Sequence, residues 1–419
     1  MKMLYASHRQ RILVVIAAIL LIASHCVGRA AWQRRPTAAT AYQPLSASDI
    51  YVHLQPGEFA GTLLLGGLRG LVTDLLWMRS LSAKESGRFY ESIALSQLIT
   101  QVQPHFPIVW EYLAHDQAFN ITRELSDPQE QWDWYLAGID TCVRGFLRNP
   151  DSDRLLRHLA FTLHHKGEHF AQRCLEHDWS GALNPILDLF APDSWRIVRG
   201  RVSAVTAPGQ ATVTMDDSVA LPLAVLVGDD EGWAAGLLDG DGLRLDPGAD
   251  PQVLRPGARV VPALTHLELA RRIYHASILL LERRGETGGA FAYVRRFLPI
   301  LRTRDGFRLR NQGRHLDALH IFIDCLDEWQ AVTAWMEDPA HGLDDFERQH
   351  ARHTAAHHVP ALRRQAAHLA RVLAEDPDQG EALATAIEDD RLAQAQELLA
   401  RGRWRRQAAT MRDGLWFDE

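Results

Sequence analysis

Three histidines near the C-terminus have the spacing of metal ligands on one helix. His350, His353 and His357 follow one another at offsets of three and four residues, and Glu347 precedes them by three. Side chains at these offsets share one side of a helix, where neutral imidazoles can bind zinc or another divalent ion. However, the HExxH signature is absent, and a straight helix rarely offers three ligands to one ion in a tetrahedral arrangement. The pattern therefore favours the polar face of an exposed helix over a metal site.

A second set of side chains with catalytic potential consists of Glu111, His115 and Asp116. Glu111 and His115 are one helical turn apart, so the carboxylate can orient the imidazole for proton transfer. The sequence places no nucleophile, oxyanion-forming glycine pattern or third orienting residue beside them. No phosphate-binding or dinucleotide-binding glycine motif follows a predicted strand. We therefore expect a protein that is not an enzyme and that needs no cofactor.

Length, composition and charge limit the possible classes of protein. The chain has 419 residues, of which 47% are hydrophobic and 23% charged, as in ordinary globular proteins. This length predicts two or three structural units. The net charge of -7 provides no basic field for nucleic acid. The four cysteines form no CxxC pair, so the sequence contains neither a zinc ribbon nor a redox motif.

The N-terminal segment ILVVIAAILLIASHCVG, residues 12–28, is almost free of polar side chains. As a helix it would be roughly 25 Å long, slightly less than the ~30 Å hydrocarbon core of a bilayer. A cleaved signal peptide is the alternative, but its small-residue site at Ala39 and Ala41 lies too far from the apolar core. Residues 1–35 are therefore predicted to be a tail and a transmembrane helix, followed by a linker at 36–58. This predicts a single-pass protein of the cytoplasmic (inner) membrane, with its soluble region in the periplasm.

Helical patterns begin at residue 59 and predict a helical domain over residues 59–194. Its first apolar run, residues 59–81, has leucines at helical spacing and indicates a buried helix. The next helix is bounded by Gly87, which permits a tight turn, and by Pro104, which ends the helix.

The order of proline, bulky residue and small residue recurs along the chain. Trp110 follows Pro104 by six residues, and Ala114 comes four residues later, where a small side chain lets a neighbouring helix approach. Pro150 repeats the pattern after 46 residues, and a weaker echo follows Pro377. The interval of 46 residues exceeds the usual length of a tetratricopeptide repeat, so longer helices or an insertion are expected. The pattern predicts a mainly α fold, a tetratricopeptide-like α-solenoid.

Several short motifs resemble an uncharacterised family of bacterial membrane-anchored, tetratricopeptide-like proteins. They are GGLRG at 66–70, DLLWMR at 74–79, GRFYE at 87–91, QPHFPIVW at 103–110, NI at 120–121 and HHKG at 164–167. The resemblance extends over roughly residues 60–180, less than half of the chain. It implies a helical fold and a place at the membrane, and it implies no activity.

The pattern changes at residues 195–262, which form a β-rich insertion. Strands are predicted at WRIVRGRVSAV, ATVTM, VALPLAVLV and LRPGARVV, because these runs are rich in β-branched residues and are separated by turn signals. We expect a small barrel or sandwich, with the Gly- and Asp-rich residues 228–250 as an exposed loop. Residues 263–419 are predicted to be a second helical domain.

The first helix of each predicted repeat would line a concave groove for a partner. Counted from Trp110 and Leu156, the groove positions are Glu111, His115, Phe119, Arg154, Arg157, Phe161, His164 and His165. Arginine suits a carboxylate because its guanidinium forms charge-assisted hydrogen bonds. The hypothesis is that Arg157 and His164 contact an acidic segment of a partner, and solvated surface charge is the alternative.

The sequence as a whole predicts a non-catalytic, membrane-anchored scaffold that mediates protein–protein interactions in the bacterial cell envelope. The expected partners are other envelope or membrane proteins, and nucleic acid is not expected. The alternative is a membrane-bound metal-binding protein or enzyme that uses the His-rich C-terminal helices. The sequence does not determine the oligomeric state.

Overall fold

Helices make up most of the described chain, and a β-barrel is inserted between two helical regions. The computed structural model describes residues 69–190, 196–216, 223–229, 232–246, 248–286 and 289–406. Before the barrel lie α1 (Arg69–Glu85), α2 (Phe89–Val102), α3 (Pro107–His115), α4 (Thr122–Glu124), α5 (Pro128–Arg148), α6 (Asp153–Phe161), α7 (Ala171–Glu176) and α8 (Ser180–Phe190). After it lie α9 (His266–Arg283), α10 (Gly289–Asn311), α11 (His315–Glu337), α12 (Asp345–Leu373), α13 (Pro377–Glu388) and α14 (Leu392–Arg401).

Two π-helical turns interrupt the helices that come before the barrel. The turn Asp116–Ile121 continues α3 into α4, and the turn Thr162–Lys166 continues α6. A 3-10 turn, Gly167–Phe170, then leads into α7. The two π-helical turns contact each other. Because π-helical turns are rare and occur often at functional sites, they direct attention to this part of the surface.

The β-rich segment folds into a closed, antiparallel barrel. The strands are β1 (Gly200–Ala207), β2 (Gln210–Met215), β3 (Leu223–Asp229), β4 (Gly232–Asp239), β5 (Gly242–Leu245) and β6 (Arg259–Pro262). Their order around the barrel is β1-β2-β5-β4-β3-β6. Valine and leucine side chains fill the interior, among them Val202, Val225, Val227, Leu238 and Val260. Gly200 pairs with Val260, so the segment enters and leaves the barrel on neighbouring strands.

The prediction of an exposed loop at residues 228–250 is wrong, because β4 and β5 lie there. The buried positions of β4 are Ala234, Gly236 and Leu238, which alternate with exposed residues. Two of these three side chains are too small to give the apolar alternation that marks a strand in a sequence. The surrounding strands, rather than local propensity, place this segment in the barrel.

The prediction that α1 is a buried helix is also wrong. Leu71, Leu75 and Met78 are 58%, 54% and 59% exposed. The face that α1 turns towards α2 is instead small and polar: Ser80 Oγ lies 2.9 Å from Ser92 Oγ and donates to the Ser92 carbonyl oxygen at 3.1 Å. A rule that places the apolar face of a helix inwards therefore assigns the wrong face of α1.

The predicted fold class of a tetratricopeptide-like α-solenoid with an N-terminal transmembrane helix is corrected in two ways. The helices range from 3 residues in α4 to 29 in α12, so no common repeat length unites them, and the inserted β-rich unit is a closed barrel. Within the described ranges, every helix is too short or too polar to cross a bilayer. The described residues therefore give no support to the predicted single-pass protein of the cytoplasmic membrane. The anchor predicted at residues 12–28 lies outside the described residues.

The helical region has two main apolar cores. The first joins α3, α5 and α6, which precede the barrel in the chain, to α9 and α10, which follow it. It includes Tyr135, Leu159 and Ile273. The second is formed by the five helices α10, α11, α12, α13 and α14, and it includes Phe322 and Leu362. Since α10 contributes to both cores, it connects the two halves of the helical region.

Close contact between α3 and α5 depends on glycine. A Cβ atom at Gly138 would lie 2.8 Å from the Ala114 carbonyl oxygen and 2.8 Å from Ala118 Cβ. A Cβ atom at Gly145 would lie 2.6 Å from Trp110 Cβ. Ala114 thus faces α5 at short range, as the sequence suggested, and α5 needs a glycine at position 138 to come so close.

Gly138→Ala is expected to lower the free energy of unfolding by about 1–3 kcal/mol, because the new methyl group meets backbone that cannot move away. Urea unfolding followed by circular dichroism measures this change. Gly181→Ala on α8 is the matched control, since a Cβ atom there meets nothing within 4 Å. Equal stability of the Gly138 variant and the parent would contradict the close contact between α3 and α5.

Candidate binding surface

A row of stacked rings crosses α3 and α6. His115 stacks on Phe119, with ring centroids 4.6 Å apart, and Phe119 stacks on Phe161 at 5.6 Å. Phe161 stacks in turn on His165 at 5.1 Å. Phe119 belongs to the first π-helical turn and His165 to the second. The extra residue in each turn therefore sets the directions in which these rings point.

The row continues onto α10 through a buried histidine. The ring of His164 lies 5.6 Å from that of Phe161 and 5.7 Å from that of Phe297. Phe297 contacts Tyr293 at 4.9 Å. We call the rings that reach the surface the aromatic row, and the buried His164 is not one of them. Its members are His115, Phe119, Phe161, His165, Phe297 and Tyr293.

Most rings of the aromatic row are half-buried, whereas His165 and Tyr293 are exposed. His164 beneath them is only 6% exposed, and its Nδ1 donates to the Ala160 carbonyl oxygen at 3.1 Å. Stacked rings that support one another from below lose little freedom when a partner covers them. The row is therefore an ordered apolar surface that remains open to solvent on one side.

A partly buried ion pair holds the first π-helical turn against α1. Asp116 is 5% exposed and accepts hydrogen bonds from Lys84 Nζ, at 2.5 Å, and from Asn120 Nδ2. The Lys84 ammonium also lies over the ring of Tyr112, 4.7 Å from its centroid. Burial opposes the charge of Lys84, but the hydrogen bond to Asp116 and the charge of Asp116 outweigh burial and raise the pKa of Lys84.

Two cations flank the aromatic row without a carboxylate partner among the described residues. Lys166 ends the second π-helical turn and is half-buried; burial lowers its pKa, and the charge of Arg123 adds to this effect. Arg296 lies on α10 with its guanidinium 4.9 Å from the centroid of Tyr293, and burial lowers its pKa as well. Each is a partly desolvated positive charge that would gain from a nearby anion.

The groove residues predicted from the sequence divide into two groups. His115, Phe119, Phe161 and His165 meet in the aromatic row. The charged members already have partners: Arg154 pairs with Glu111, and Arg157 pairs with Asp153 at 2.9 Å. His164 is buried and does not reach the surface. Arg157 and His164 are thus already engaged or covered, and the hypothesis that they contact an acidic partner stays a prediction.

The acid–base pair suggested by Glu111 and His115 is not assembled. Glu111 is engaged by Arg154 and Asp116 by Lys84, while the ring of His115 stacks on Phe119. Burial lowers the pKa of His115, although the charges of Asp116 and Glu111 oppose this change. These contacts give the three side chains structural roles.

The three histidines predicted as possible metal ligands lie on α12, and all are exposed. His350 stacks on Phe346, and His357 contacts His358 edge-on at 5.3 Å. Across the parts of the chain that the structure describes, no group of three or more His, Cys, Asp or Glu side chains is placed to hold a metal ion. The arrangement agrees with a polar helix face.

Comparisons with known proteins add no family assignment. No protein-family model matches the chain, and no curated protein matches it. The resemblance of the short motifs to membrane-anchored, tetratricopeptide-like proteins stays a prediction.

Sequence reasoning missed the contributions of Tyr293, Arg296 and Phe297. They lie at i, i+3 and i+4 of α10, a spacing that marks one helix face. The spacing alone does not reveal that this face joins α6, because the barrel separates the two helices in the chain. Lys84 was missed because its contact with Asp116 spans 32 residues of the chain and no local pattern reveals it.

Asp116→Ala is expected to lower the free energy of unfolding by about 3 kcal/mol, because it leaves the partly buried Lys84 ammonium without its counter-charge. Asp140→Ala is the matched control: Asp140 pairs with Arg144 at 2.8 Å on the surface, where such pairs contribute about 0–1 kcal/mol. Urea unfolding of both variants measures the difference. Equal losses in the two variants would show that the Lys84–Asp116 pair does not hold α1.

Stability is expected to fall as the pH drops below about 6.5, the unfolded-state pKa of histidine. Burial lowers the pKa of His158 to about 4. It also lowers the pKa of His164 to about 4, although the hydrogen bond to the Ala160 carbonyl oxygen opposes this change. The unfolded chain therefore binds more protons between pH 6.5 and 4, and acid favours unfolding in this window. The melting temperature as a function of pH measures the effect.

His158→Phe is expected to make this decline shallower. His158 Nε2 is buried with no hydrogen-bond partner within the described ranges, so a phenyl ring removes both a titrating group and an unsatisfied atom. His320→Phe, at an exposed position of α11, is the control. An unchanged decline in the His158 variant would contradict the assignment.

Proposed function

We propose that this protein is a non-catalytic helical scaffold whose aromatic row binds an acidic, aromatic-bearing segment of another protein. The observation that carries the proposal is the combination of ordered, solvent-facing rings with Lys166 and Arg296, which no described carboxylate neutralises. Aromatic side chains and arginine are enriched in protein interfaces, and such residues contribute most of the binding energy.

The stacked rings favour aromatic side chains in the partner. A ring that adds to a stacked or edge-on pair gains about 0.5–1.5 kcal/mol beyond its buried area. Aliphatic side chains would gain the area alone. The row offers several such contacts in succession, from His115 to Tyr293.

The flanking cations favour acidic side chains in the partner. Lys166 and Arg296 are already partly desolvated, so a carboxylate that reaches them meets a smaller additional desolvation cost. The neighbouring Arg154 and Arg157 are engaged by Glu111 and Asp153 and have less to gain. The proposed charged contacts thus differ from the arginines that the sequence suggested, whereas four of the proposed rings are among the predicted groove residues.

A fluorescein-labelled peptide of alternating Asp and Phe tests the proposal by fluorescence anisotropy. The peptide is expected to bind, and Phe119→Ala with Phe161→Ala is expected to weaken binding about tenfold or more through the loss of two ring contacts. Lys166→Glu with Arg296→Glu is expected to abolish most of the salt-sensitive part of the affinity. A peptide of alternating Lys and Phe should bind poorly.

Arg401→Glu is the control for charge reversal, because Arg401 is exposed on α14, a helix whose apolar residues pack in the second core and not beside the aromatic row. Its affinity for the peptide should equal that of the parent. Melting temperatures of all variants separate loss of the surface from loss of the fold. If the acidic peptide does not bind, or binds every folded variant equally, the aromatic row is not the interface.

A further inference from the structure

A cavity of about 600 Å³ lies where the helices before the barrel meet the barrel itself. Its lining comes from α5 and α7 on one side and from β3, β4 and β6 on the other. Small-molecule sites in proteins have volumes of roughly 300–1,000 Å³ and occur preferentially at such junctions. Its volume and position are therefore those of a ligand site, and none of its lining residues belongs to the aromatic row.

Each wall of the cavity contributes one indole ring and one guanidinium. The helices provide Trp132 and Arg173, and the barrel provides Trp233 and Arg259. The Arg259 guanidinium lies 5.3 Å from the centroid of the Trp233 ring. Indole rings bind planar aromatic groups by stacking, and guanidinium groups bind carboxylates and phosphates.

The charge of Arg173 is available to a ligand. Arg173 Nη1 donates to the Pro128 carbonyl oxygen at 3.2 Å and to Gln129 Oε1 at 3.1 Å, and both acceptors are neutral. Throughout the described part of the chain, no carboxylate lies within salt-bridge distance of Arg173. An anionic group in the cavity would supply its counter-charge.

The carboxylates that line the cavity are engaged elsewhere. Asp178 pairs with Arg199 at 3.2 Å, and Asp229 pairs with Arg255 at 3.1 Å. Glu176 accepts a hydrogen bond from Gln172 Nε2 at 2.6 Å. Arg199 also pairs with Asp216 at 2.8 Å, and the neutral amide of Gln172 leaves the negative charge of Glu176 in place. Arg173 stays available to an anion because, among the described residues, none of these carboxylates lies within salt-bridge distance of it.

A neutral imidazole completes the polar lining. The ring of His177 lies edge-on to Trp132 and Trp179, at 5.6 and 4.7 Å between centroids. Burial lowers the pKa of His177, and the charge of Asp178 only partly opposes this change. At neutral pH, His177 therefore offers one donor and one acceptor to a ligand.

We propose that this cavity binds a planar aromatic anion. The aromatic ring stacks on the indole of Trp233 and touches only the small exposed part of Trp132, which is 8% exposed, while the anionic group accepts hydrogen bonds from Arg173. A mononucleotide or an aromatic carboxylate has this chemistry. The site is independent of the proposed interface at the aromatic row.

Isothermal titration calorimetry of the full chain with adenosine 5′-monophosphate, adenosine, inorganic phosphate and indole-3-acetate tests the proposal. At least one of the two aromatic anions is expected to bind, with adenosine weaker than its monophosphate and with no detectable binding of phosphate. Trp233→Ala is expected to weaken binding of the aromatic anion about tenfold, and Trp233→Phe to restore it to within about threefold. Arg173→Gln is expected to weaken binding of the aromatic anion about tenfold and to leave the affinity for adenosine unchanged.

Arg401→Gln, remote from the cavity, should bind the aromatic anions like the parent. Melting temperatures exclude unfolding as the cause of a loss, and the Trp233→Phe variant provides the comparison if Trp233→Ala does not fold. The proposal is overturned if neither aromatic anion binds at millimolar concentration. It is equally overturned if phosphate binds as tightly as the monophosphate, or if binding is unchanged in both the Arg173→Gln and Trp233→Ala variants.

Discussion

The rest of the structure depends on the packing of α6 against α9. The chain leaves α6, passes through the barrel and returns at His266 to bury a second set of side chains against the first. Leu156 and Leu159 on α6 and Ile273 on α9 are fully buried in one core. Burial of a large aliphatic side chain contributes about 1.5–3 kcal/mol, so a few such contacts offset the cost of closing the intervening segment.

This packing also explains why a binding surface forms across distant parts of the chain. Once α9 lies against α6, α10 follows α9 and brings Phe297 next to His164. The partly buried Lys84–Asp116 pair then holds α1 against the first π-helical turn. The aromatic row is built by helices alone, whereas the cavity between Trp132 and Trp233 requires the barrel. One fold thus presents two chemically different surfaces.

Local rules of sequence predict local structure here. Gly87 adopts a left-handed conformation with φ of 71°, and Pro104 follows the end of α2, where its carbonyl oxygen accepts from Trp110 Nε1 at 2.8 Å. Helical counting from Trp110 placed His115 and Phe119 on one face. The contacts of Lys84 and Phe297 were beyond reach, because they depend on which helices pack together. The leucines of α1 were misassigned because they have helical spacing but face solvent. The strand β4 was missed because its buried residues Ala234 and Gly236 are too small to give an apolar alternation.

The central claim is that the helices before and after the barrel form one cooperative unit through α6 and α9. Replacing residues 200–262 by a short Gly/Ser linker tests it most directly, because Gly200 and Val260 are paired neighbours and a short linker can join the ends. Urea unfolding followed by far-ultraviolet circular dichroism is the measurement. A single cooperative transition with the helical signal retained is the predicted result. Two separate transitions, or loss of the helical signal, would contradict the account.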